Sequence, residues 1–226
     1  MVETTNANKR QNLYKNRYNV ILFDLDGTIS DPKEGIVNSI KYALSKFGIQ
    51  EDDDKFLEKF IGPSLYDAFR DFYFFEGKEL YTVVELYREY FSEFGMYQNK
   101  LYPGMRGLLD NLYDANKKLI LATSKPAVFA REIVDYFELQ KYFGEIFGSN
   151  LDGTKVSKAE LIELALQRSN DNPVMIGDRK YDIIGAKENG ISSIGVLYGY
   201  GSKEELSACE PDYLVESVDE LKNVLL

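Results

Sequence analysis

Short apolar runs alternate with helical patterns along most of this chain, and this alternation constrains the fold more than any other feature. Between most of the runs, apolar residues recur every three or four positions, which is typical of amphipathic helices. Strands that alternate with helices build βαβ units, so the sequence predicts an α/β fold with a doubly wound, mainly parallel, Rossmann-like sheet. The predicted strands are 18–23, 118–122, 145–148, 173–176, 193–197 and 213–215.

One segment breaks the alternation after the first strand. Between residues 32 and 101 the patterns are helical only, which indicates a small all-helical domain inserted into the sheet domain. We name this segment the cap. The predicted organisation is a polar tail, an α/β core in two pieces and the cap, with bounds 1–17, 18–31 plus 102–226, and 32–101.

Local signals within the cap predict where its helices begin. Asp31 is the expected N-cap of the first helix, with Pro32 in the first turn and Glu34 three residues after the cap. The acidic stretch 51–55 is expected to be a solvated loop, and 60–65 a turn that could face substrate. Further helices are predicted over 64–75 and 80–94, and their many aromatic rings are expected to form core rather than a substrate-stacking surface.

Composition excludes several classes of function. The chain has 226 residues, a formal net charge of −10 and a pI near 4.7, so a nucleic-acid or anionic-membrane partner is not expected. No apolar run approaches the roughly 20 residues that span a bilayer, and we expect a cytoplasmic protein, monomeric or weakly dimeric. The chain has no histidine and one cysteine, so Ser-His-Asp and Cys-His triads are excluded. An acid–base catalyst must therefore be a carboxylate, a lysine or a tyrosine.

Polar residues at the predicted strand ends are the candidates for chemistry, because ligands of open α/β sheets bind beyond the carboxyl ends of the strands. Asp24 and Asp26 follow the first strand with one residue between them. Two carboxylates this close repel unless a cation lies nearby, and Mg²⁺ suits oxygen ligands. A polar strand end that merely caps a helix is the alternative.

Two further strand ends offer groups that could bind an anion. Thr123 and Ser124 end a strand, and Pro126 suits the first turn of the next helix, although N-capping alone also explains these residues. Ser157 and Glu160 form a capping box that places Lys158 in the first helical turn, where a cation is disfavoured unless an anion is near. Lys155, one turn earlier, could compete for the same role.

A second carboxylate cluster follows the fourth predicted strand. Asp178 ends this strand behind Gly177, and Asp182 follows four residues later at the start of a helix. Ligands from two strand ends can converge on one ion, so this second cluster favours a metal site over a solvated turn.

These motifs, in this order, resemble the haloacid dehalogenase-like hydrolase superfamily, and the chain is similar to its phosphoglycolate phosphatase-like group with a helical cap. The helical insert also lies where that family carries its cap. The resemblance covers residues 18 to 226. The matching residues are Asp24, Asp26, Gly27 and Thr28 of a DxDGT signature, Thr123, Lys158, and Asp178 and Asp182 of a GDxxxD signature.

The resemblance implies a phosphatase that acts on small phosphorylated metabolites of the phosphoglycolate, sugar-phosphate or nucleotide type. It implies that Asp24 attacks phosphorus to form an aspartyl-phosphate, while Asp26 protonates the leaving oxygen and later takes a proton from water. The phosphoryl oxygens would be held by Thr123, the backbone at Ser124 and Lys158.

The same resemblance implies Mg²⁺ as cofactor. Its ligands would be the Asp24 carboxylate, the Asp26 carbonyl and Asp178, with Asp182 supporting the metal site or Lys158. Two other functions compete with the phosphatase: a phosphosugar mutase with the same cap type, and a non-catalytic receiver-like domain that stores phosphate on Asp24. A receiver is usually about half this length and has no cap, which disfavours it.

Overall fold

A six-stranded parallel sheet forms the centre of the molecule. The computed structural model describes residues 17–151 and 156–226, and its sheet has the strand order β5-β4-β1-β6-β7-β8. Every neighbouring pair in it is parallel. The strands are β1 Val20–Phe23, β4 Lys118–Pro126, β5 Phe143–Ser149, β6 Pro173–Gly177, β7 Ser192–Val196 and β8 Tyr213–Val215. The predicted α/β fold with a parallel sheet is confirmed.

The central strand β1 is buried on both faces, as its almost wholly apolar sequence requires. Ile21 and Phe23 pack into one core cluster, while Val20 and Leu22 pack into a second cluster on the other side of the sheet. All four residues are at most 1 % exposed. The alternation of side chains along a strand thus divides this run between the two layers of helices.

Helices follow the strands and cover the sheet. The helices of the core are α5 Met105–Asp114, α6 Ala127–Tyr136, α7 Lys158–Leu166, α8 Lys180–Glu188, α9 Lys203–Ser207 and α10 Val218–Leu225. The buried residues of α7 and α8 pack against the face that carries Val20 and Leu22. No helix in the described part of the chain is long and apolar enough to cross a membrane.

The cap lies between β1 and β4. Its helices are α1 Lys33–Ser45, α2 Asp54–Leu57, α3 Leu65–Tyr73 and α4 Gly77–Glu93, with short 3₁₀ turns at Glu58–Phe60 and Gly95–Tyr97. Two short strands, β2 Ser30–Asp31 and β3 Lys100–Leu101, pair antiparallel where the chain enters and leaves this segment. Rings of the cap pack edge to face, as Phe60 does on Phe69, so many of its aromatics form core.

The structure differs from the predicted helix starts at three points. Asp31 pairs with Lys100 in β2 and β3, so Pro32 is the N-cap of α1. The Asp31 carboxylate accepts hydrogen bonds from the Lys33 backbone N–H (3.1 Å) and from the Tyr200 hydroxyl. Pro126 is the N-cap of α6 rather than part of its first turn. The acidic stretch 51–55 is not wholly loop, because the Asp53 side chain caps α2 through the Phe56 N–H (3.0 Å).

Strand β4 is longer than predicted. It runs past Thr123 and Ser124 to Pro126, with a register shift against β5 between Thr123 and Pro126. The apolar pattern ends at Ala122, so the polar continuation of the strand gave no periodic signal.

Candidate active site

The ends of three strands meet at one edge of the sheet and bring the predicted site residues together. Phe23 is in register with Leu121 of β4 and with Ile176 of β6, so the loop after β1, the polar end of β4 and the loop after β6 lie at the same edge of the sheet. The Asp24 N–H donates to the Ile176 carbonyl (2.9 Å) and fixes the start of the loop after β1. This edge is where an open α/β sheet binds its ligand.

Lys158 joins the carboxylates of two strand ends. Its Nζ lies 3.0 Å from Asp24 Oδ1 and 2.8 Å from Asp182 Oδ1, and it donates to the Ala122 carbonyl at 3.0 Å. Burial alone would lower the pKa of Lys158, but the two carboxylates outweigh burial and raise it. The lysine therefore remains an ammonium ion at the centre of the site.

The predicted capping box positions Lys158 and is confirmed. Ser157 Oγ accepts from the Glu160 N–H (3.2 Å), and the Glu160 carboxylate accepts from the Ser157 N–H (2.7 Å). Helix α7 therefore begins at Lys158 itself, with the side chain directed to the strand ends. Lys155, the competing lysine, lies outside the described residues.

Asp178 is fully buried in a cradle of glycines. A Cβ on Gly27 would lie 2.1 Å from Asp178 Oδ2, and a Cβ on Gly199 would lie 2.4 Å from Asp178 Cβ. The carboxylate accepts from the Tyr200 N–H (2.8 Å) and lies 3.5 Å from Thr28 Oγ1. Burial, reinforced by the charges of Asp24 and Asp182, raises the pKa of Asp178 well above its ordinary value.

Three buried carboxylates at this edge could hold a divalent cation. Oxygen atoms of Asp24, Asp178 and Asp182 lie within 4.8 Å of one another. Asp182 also binds Lys158 and accepts from the Arg179 N–H (3.2 Å), so its oxygens are engaged by protein donors. Desolvating a carboxylate costs several kcal/mol, and a hard cation beside Asp24 and Asp178 would offset this cost. The donor set therefore fits Mg²⁺.

Asp26 occupies a separate environment from Asp24, although only Leu25 stands between them. Its Oδ2 lies 2.8 Å from Lys125 Nζ, while its buried Oδ1 has no hydrogen-bond partner within the described residues. Burial raises the pKa of Asp26, and the adjacent Lys125 partly opposes this shift. An acid with a raised pKa and one free oxygen can carry a proton, which a nucleophilic carboxylate cannot.

Lys125 is a site residue that the sequence interpretation missed. It follows Thr123 and Ser124 in the polar end of β4, and its Nζ also lies 4.5 Å from the centre of the Phe91 ring in α4. Its position two residues after Thr123 was the available signal, because alternate residues of a strand project on the same side. Lys125 thus links Asp26 to the cap.

Thr123 and Ser124 both line the crevice next to Asp24 and Lys158. Thr123 is 1 % exposed, and its Oγ1 accepts from the Lys125 N–H at 3.3 Å. The Ser124 carbonyl accepts from Ser149 Oγ (2.8 Å), which holds the end of β4 against β5. Their hydroxyls are thereby placed at the same edge as the carboxylates.

A crevice of about 600 Å³ lies between the strand ends and the cap. Its floor contains Asp24, Asp26 and Lys158, and its cap wall contains Tyr66, Arg88 and Phe91. Pockets of this volume suit a small organic ligand with a few fixed polar groups. Some cap aromatics therefore face this crevice as well as forming core.

Arg179 contacts the cap from the core side and was also missed in the sequence. Its Nη1 donates to the Ile61 carbonyl in the loop before α3, and its Nε donates to Glu205 Oε1 (3.0 Å). Gly62 is required beside it, because a Cβ there would lie 2.9 Å from Arg179 Nη1 at a φ of +108°. The loop 60–65 thus lines the crevice and contacts the residue after Asp178.

The fold and these strand-end motifs define a class of proteins: Rossmann-like α/β proteins with an aspartate pair after the first strand and a helical cap inserted behind it. The family model described as haloacid dehalogenase-like hydrolase matches residues 21–196. The chain belongs to this family, which confirms the resemblance drawn from the motifs.

Relatives and a solved structure match this chain over most of its length. The chain is 44 % identical to a 5′-nucleotidase from Pseudomonas aeruginosa, covering 92 % of this chain and 96 % of that protein. It is 32 % identical to tyrosine-protein kinase PtkA of Mycobacterium tuberculosis, covering 91 % of this chain and 72 % of that protein. The crystal structure of a predicted phosphatase from Clostridium acetobutylicum superimposes on this chain with a TM-score of 0.86. The two chains are 47 % identical, and the match covers 91 % of this chain and 96 % of that chain. The protein is a phosphatase of the haloacid dehalogenase-like family.

Proposed function

We propose that this phosphatase hydrolyses small-molecule phosphate monoesters through an aspartyl-phosphate on Asp24, with Mg²⁺ as cofactor. The observation that supports the proposal best is the different setting of the two aspartates. Asp24 forms an ion pair with Lys158 beside the buried Asp178. Asp26 forms an ion pair with Lys125, and its other oxygen has no hydrogen-bond partner in the part of the chain that the structure describes. One environment suits a nucleophile and the other suits a proton carrier.

The proposed reaction has two steps. An Asp24 carboxylate oxygen bonds to phosphorus while the bond from phosphorus to the ester oxygen breaks, and Asp26 gives its proton to the leaving alkoxide. Water then attacks the same phosphorus, Asp26 takes a proton from that water, and the bond between phosphorus and Asp24 breaks. The products are the alcohol and inorganic phosphate, and both carboxylates return to their initial states.

The other residues bind and orient the phosphoryl group. The Lys158 ammonium is held by Asp24, Asp182 and the Ala122 carbonyl, which use its three N–H donors, and the donor on Asp24 would pass to a phosphoryl oxygen. Thr123 and Ser124 line the same wall of the crevice and supply hydroxyl and backbone donors. Mg²⁺ bound by the Asp24 carboxylate, the Asp26 carbonyl and Asp178 would neutralise the charge between nucleophile and phosphate.

Nucleoside 5′-monophosphates are the first substrates to examine. The relative that matches over nearly its whole length at 44 % identity is named as a 5′-nucleotidase, and a crevice of about 600 Å³ is large enough for a nucleotide. Phosphoglycolate and sugar phosphates form the comparison set. Release of free phosphate, rather than isomerisation of a sugar phosphate, separates a phosphatase from a mutase.

The test compares two substitutions of the aspartate pair. Asp24→Asn removes the nucleophile, so neither phosphoenzyme nor phosphate release is expected. Asp26→Thr keeps the backbone carbonyl but removes the proton carrier, so p-nitrophenyl phosphate, which needs little protonation, should phosphorylate Asp24 and then stall. Intact mass after an acid quench measures the added phosphoryl group. Turnover of Asp26→Thr at the wild-type rate, or a phosphoryl group mapped to another residue, would contradict the mechanism.

A further inference from the structure

The cap presents one mostly buried cation to the crevice that the proposed mechanism does not use. Arg88 of α4 lies on the cap wall, and its side chain is only 14 % exposed. The neighbouring Tyr87 is buried, and its phenol has a raised pKa caused first by burial and then by Asp26, while Arg88 opposes the shift. Tyr87 therefore lies near both Asp26 and Arg88, and Arg88 lines the same crevice as Asp26.

The guanidinium of Arg88 is incompletely satisfied. Its Nη1 contacts Glu85 Oε1 at 3.2 Å, but Glu85 is 70 % exposed, and such pairs contribute little. Its Nε is shielded from solvent and has no hydrogen-bond partner within the described residues. A buried donor without an acceptor costs about 1–3 kcal/mol, so an arriving acceptor would gain by meeting it.

The surroundings of Arg88 favour a flat ligand. The guanidinium carbon lies 5.6 Å from the centre of the Tyr66 ring, within the range of a cation–π contact. Tyr66, Phe91 and Phe129 line the same crevice. Aromatic side chains of this kind stack on planar rings, whereas a carboxylate or a second phosphate would gain nothing from them.

We propose that Arg88 is a specificity-determining residue that reads the base of a nucleotide and selects 6-oxopurines, that is, guanine and hypoxanthine. The Nε edge of the fork offers two parallel donors, and the O6 and N7 atoms of a 6-oxopurine offer two parallel acceptors. Adenine has a donor in place of O6, so it makes only one of the two bonds. This inference rests on the proposed phosphatase function and names the substrate class of the same crevice.

The experiment measures kcat/KM for the 5′-monophosphates of guanosine, inosine, adenosine and cytidine and for phosphoglycolate, with phenyl phosphate as a substrate that has no base acceptor. In the wild type, guanosine and inosine monophosphates should exceed adenosine monophosphate by about 10- to 100-fold, as for other bidentate arginine–base pairs. In Arg88→Met this ratio should fall to about one. Lys78→Met is the matched control, because Lys78 is an exposed cation of the same helix α4 that does not line the crevice, and this variant should keep the wild-type ratio.

Several results would overturn the inference. One is a wild type that hydrolyses all four nucleotides equally, a measurement that does not depend on any variant folding. Another is an Arg88→Met loss of equal size for phenyl phosphate and guanosine monophosphate, which would give Arg88 a general role. A loss confined to phosphoglycolate would assign the guanidinium to a carboxylate instead. Failure to hydrolyse any ester, phenyl phosphate included, would refute the proposed function rather than the role of Arg88.

Discussion

Replacing Lys158 with methionine removes an ammonium ion that contacts both Asp24 and Asp182. The side chain is 4 % exposed, and its partners are 8 % and 1 % exposed. Breaking a buried ion pair by deleting one partner costs about 3–5 kcal/mol. For a chain of this length this corresponds to a fall in Tm of roughly 6–20 °C. Methionine keeps the length of the aliphatic chain, so the loss measures charge more than volume.

The size of this loss should depend on the metal. Without Lys158, the carboxylates of Asp24, Asp178 and Asp182 repel one another without the ammonium ion that pairs with two of them. A divalent cation would relieve the repulsion, so the fall in Tm should be larger in excess chelator than in millimolar Mg²⁺. The difference between the two conditions is a measure of how strongly the cluster needs a cation.

The pKa of Lys158 determines how the gap in Tm between wild type and Lys158→Met depends on pH. The pKa of Lys158 is raised above the ordinary lysine value of 10.5, because Asp182 and Asp24 outweigh burial. Its contribution is then fully present below 10.5 and is lost only as pH rises through the higher folded value. The gap in Tm between wild type and Lys158→Met should therefore be the same at about pH 7 and about pH 9.

Differential scanning calorimetry and phosphate release decide this prediction together. Lys187→Met is the control for stability, since Lys187 and its partner Glu210 are 46 % and 85 % exposed and the pair contributes at most about 1 kcal/mol. Lys155→Met is the control for activity, and it should keep turnover if Lys158 is the phosphate-binding lysine. A Tm loss for Lys158→Met no larger than for Lys187→Met, or an inactive Lys155→Met beside an active Lys158→Met, would refute the reasoning.

Two further predictions concern Asp178 and its cradle. Asp178→Asn should raise the Mg²⁺ concentration for half-maximal activity by at least about tenfold, which a metal titration of activity measures. Because it removes a buried charge, the same variant should leave Tm in excess chelator unchanged or higher, which a thermal melt in chelator measures. Gly27→Ala should abolish phosphate release, because its Cβ would lie 2.1 Å from Asp178 Oδ2. Gly48→Ala is its control, with a similar φ of +72° but nothing within 4 Å, and it should stay active while losing about 1–2 kcal/mol of stability. Equal activity of the two alanine variants would show that the cradle is unimportant.

The sheet and the strand-end residues were predictable because they rest on local patterns. A buried parallel strand needs a continuous apolar run, and the run Val20–Phe23 ends where its register with β4 and β6 ends. Parallel strands that end together place the following polar residues at one edge, so Asp24 and Asp178 could be brought together without any structure. The Ser157 capping box is equally local, since its two hydrogen bonds lie within four residues.

The missed residues depend on contacts between distant segments. Lys125 is explained by Asp26, and Arg179 by the Ile61 carbonyl, 118 positions away along the chain. No periodicity or spacing in the sequence predicts such a pair, because a lysine or arginine considered alone in the sequence is most often a surface residue. The error at Asp31 has the same origin. Asp31 is a good capping residue, but it pairs with Lys100 in the β2–β3 ladder, so tertiary pairing outweighed the local capping signal.

The contacts that could not be predicted from the sequence also join the cap to the strand ends that carry Asp26 and Asp178. Lys125 binds Asp26 and lies against Phe91 of α4, while Arg179, the neighbour of Asp178, holds the loop before α3. The Lys125 side chain therefore contacts both an aspartate and the cap, whereas Arg179 contacts the cap with its side chain and Asp182 with its backbone N–H. Movement of the cap away from the sheet would separate Lys125 from the ring and Arg179 from its carbonyl acceptor in a single event. A substrate that holds the cap closed would keep both cations in place, so binding at the cap wall and order at the aspartates stabilise each other.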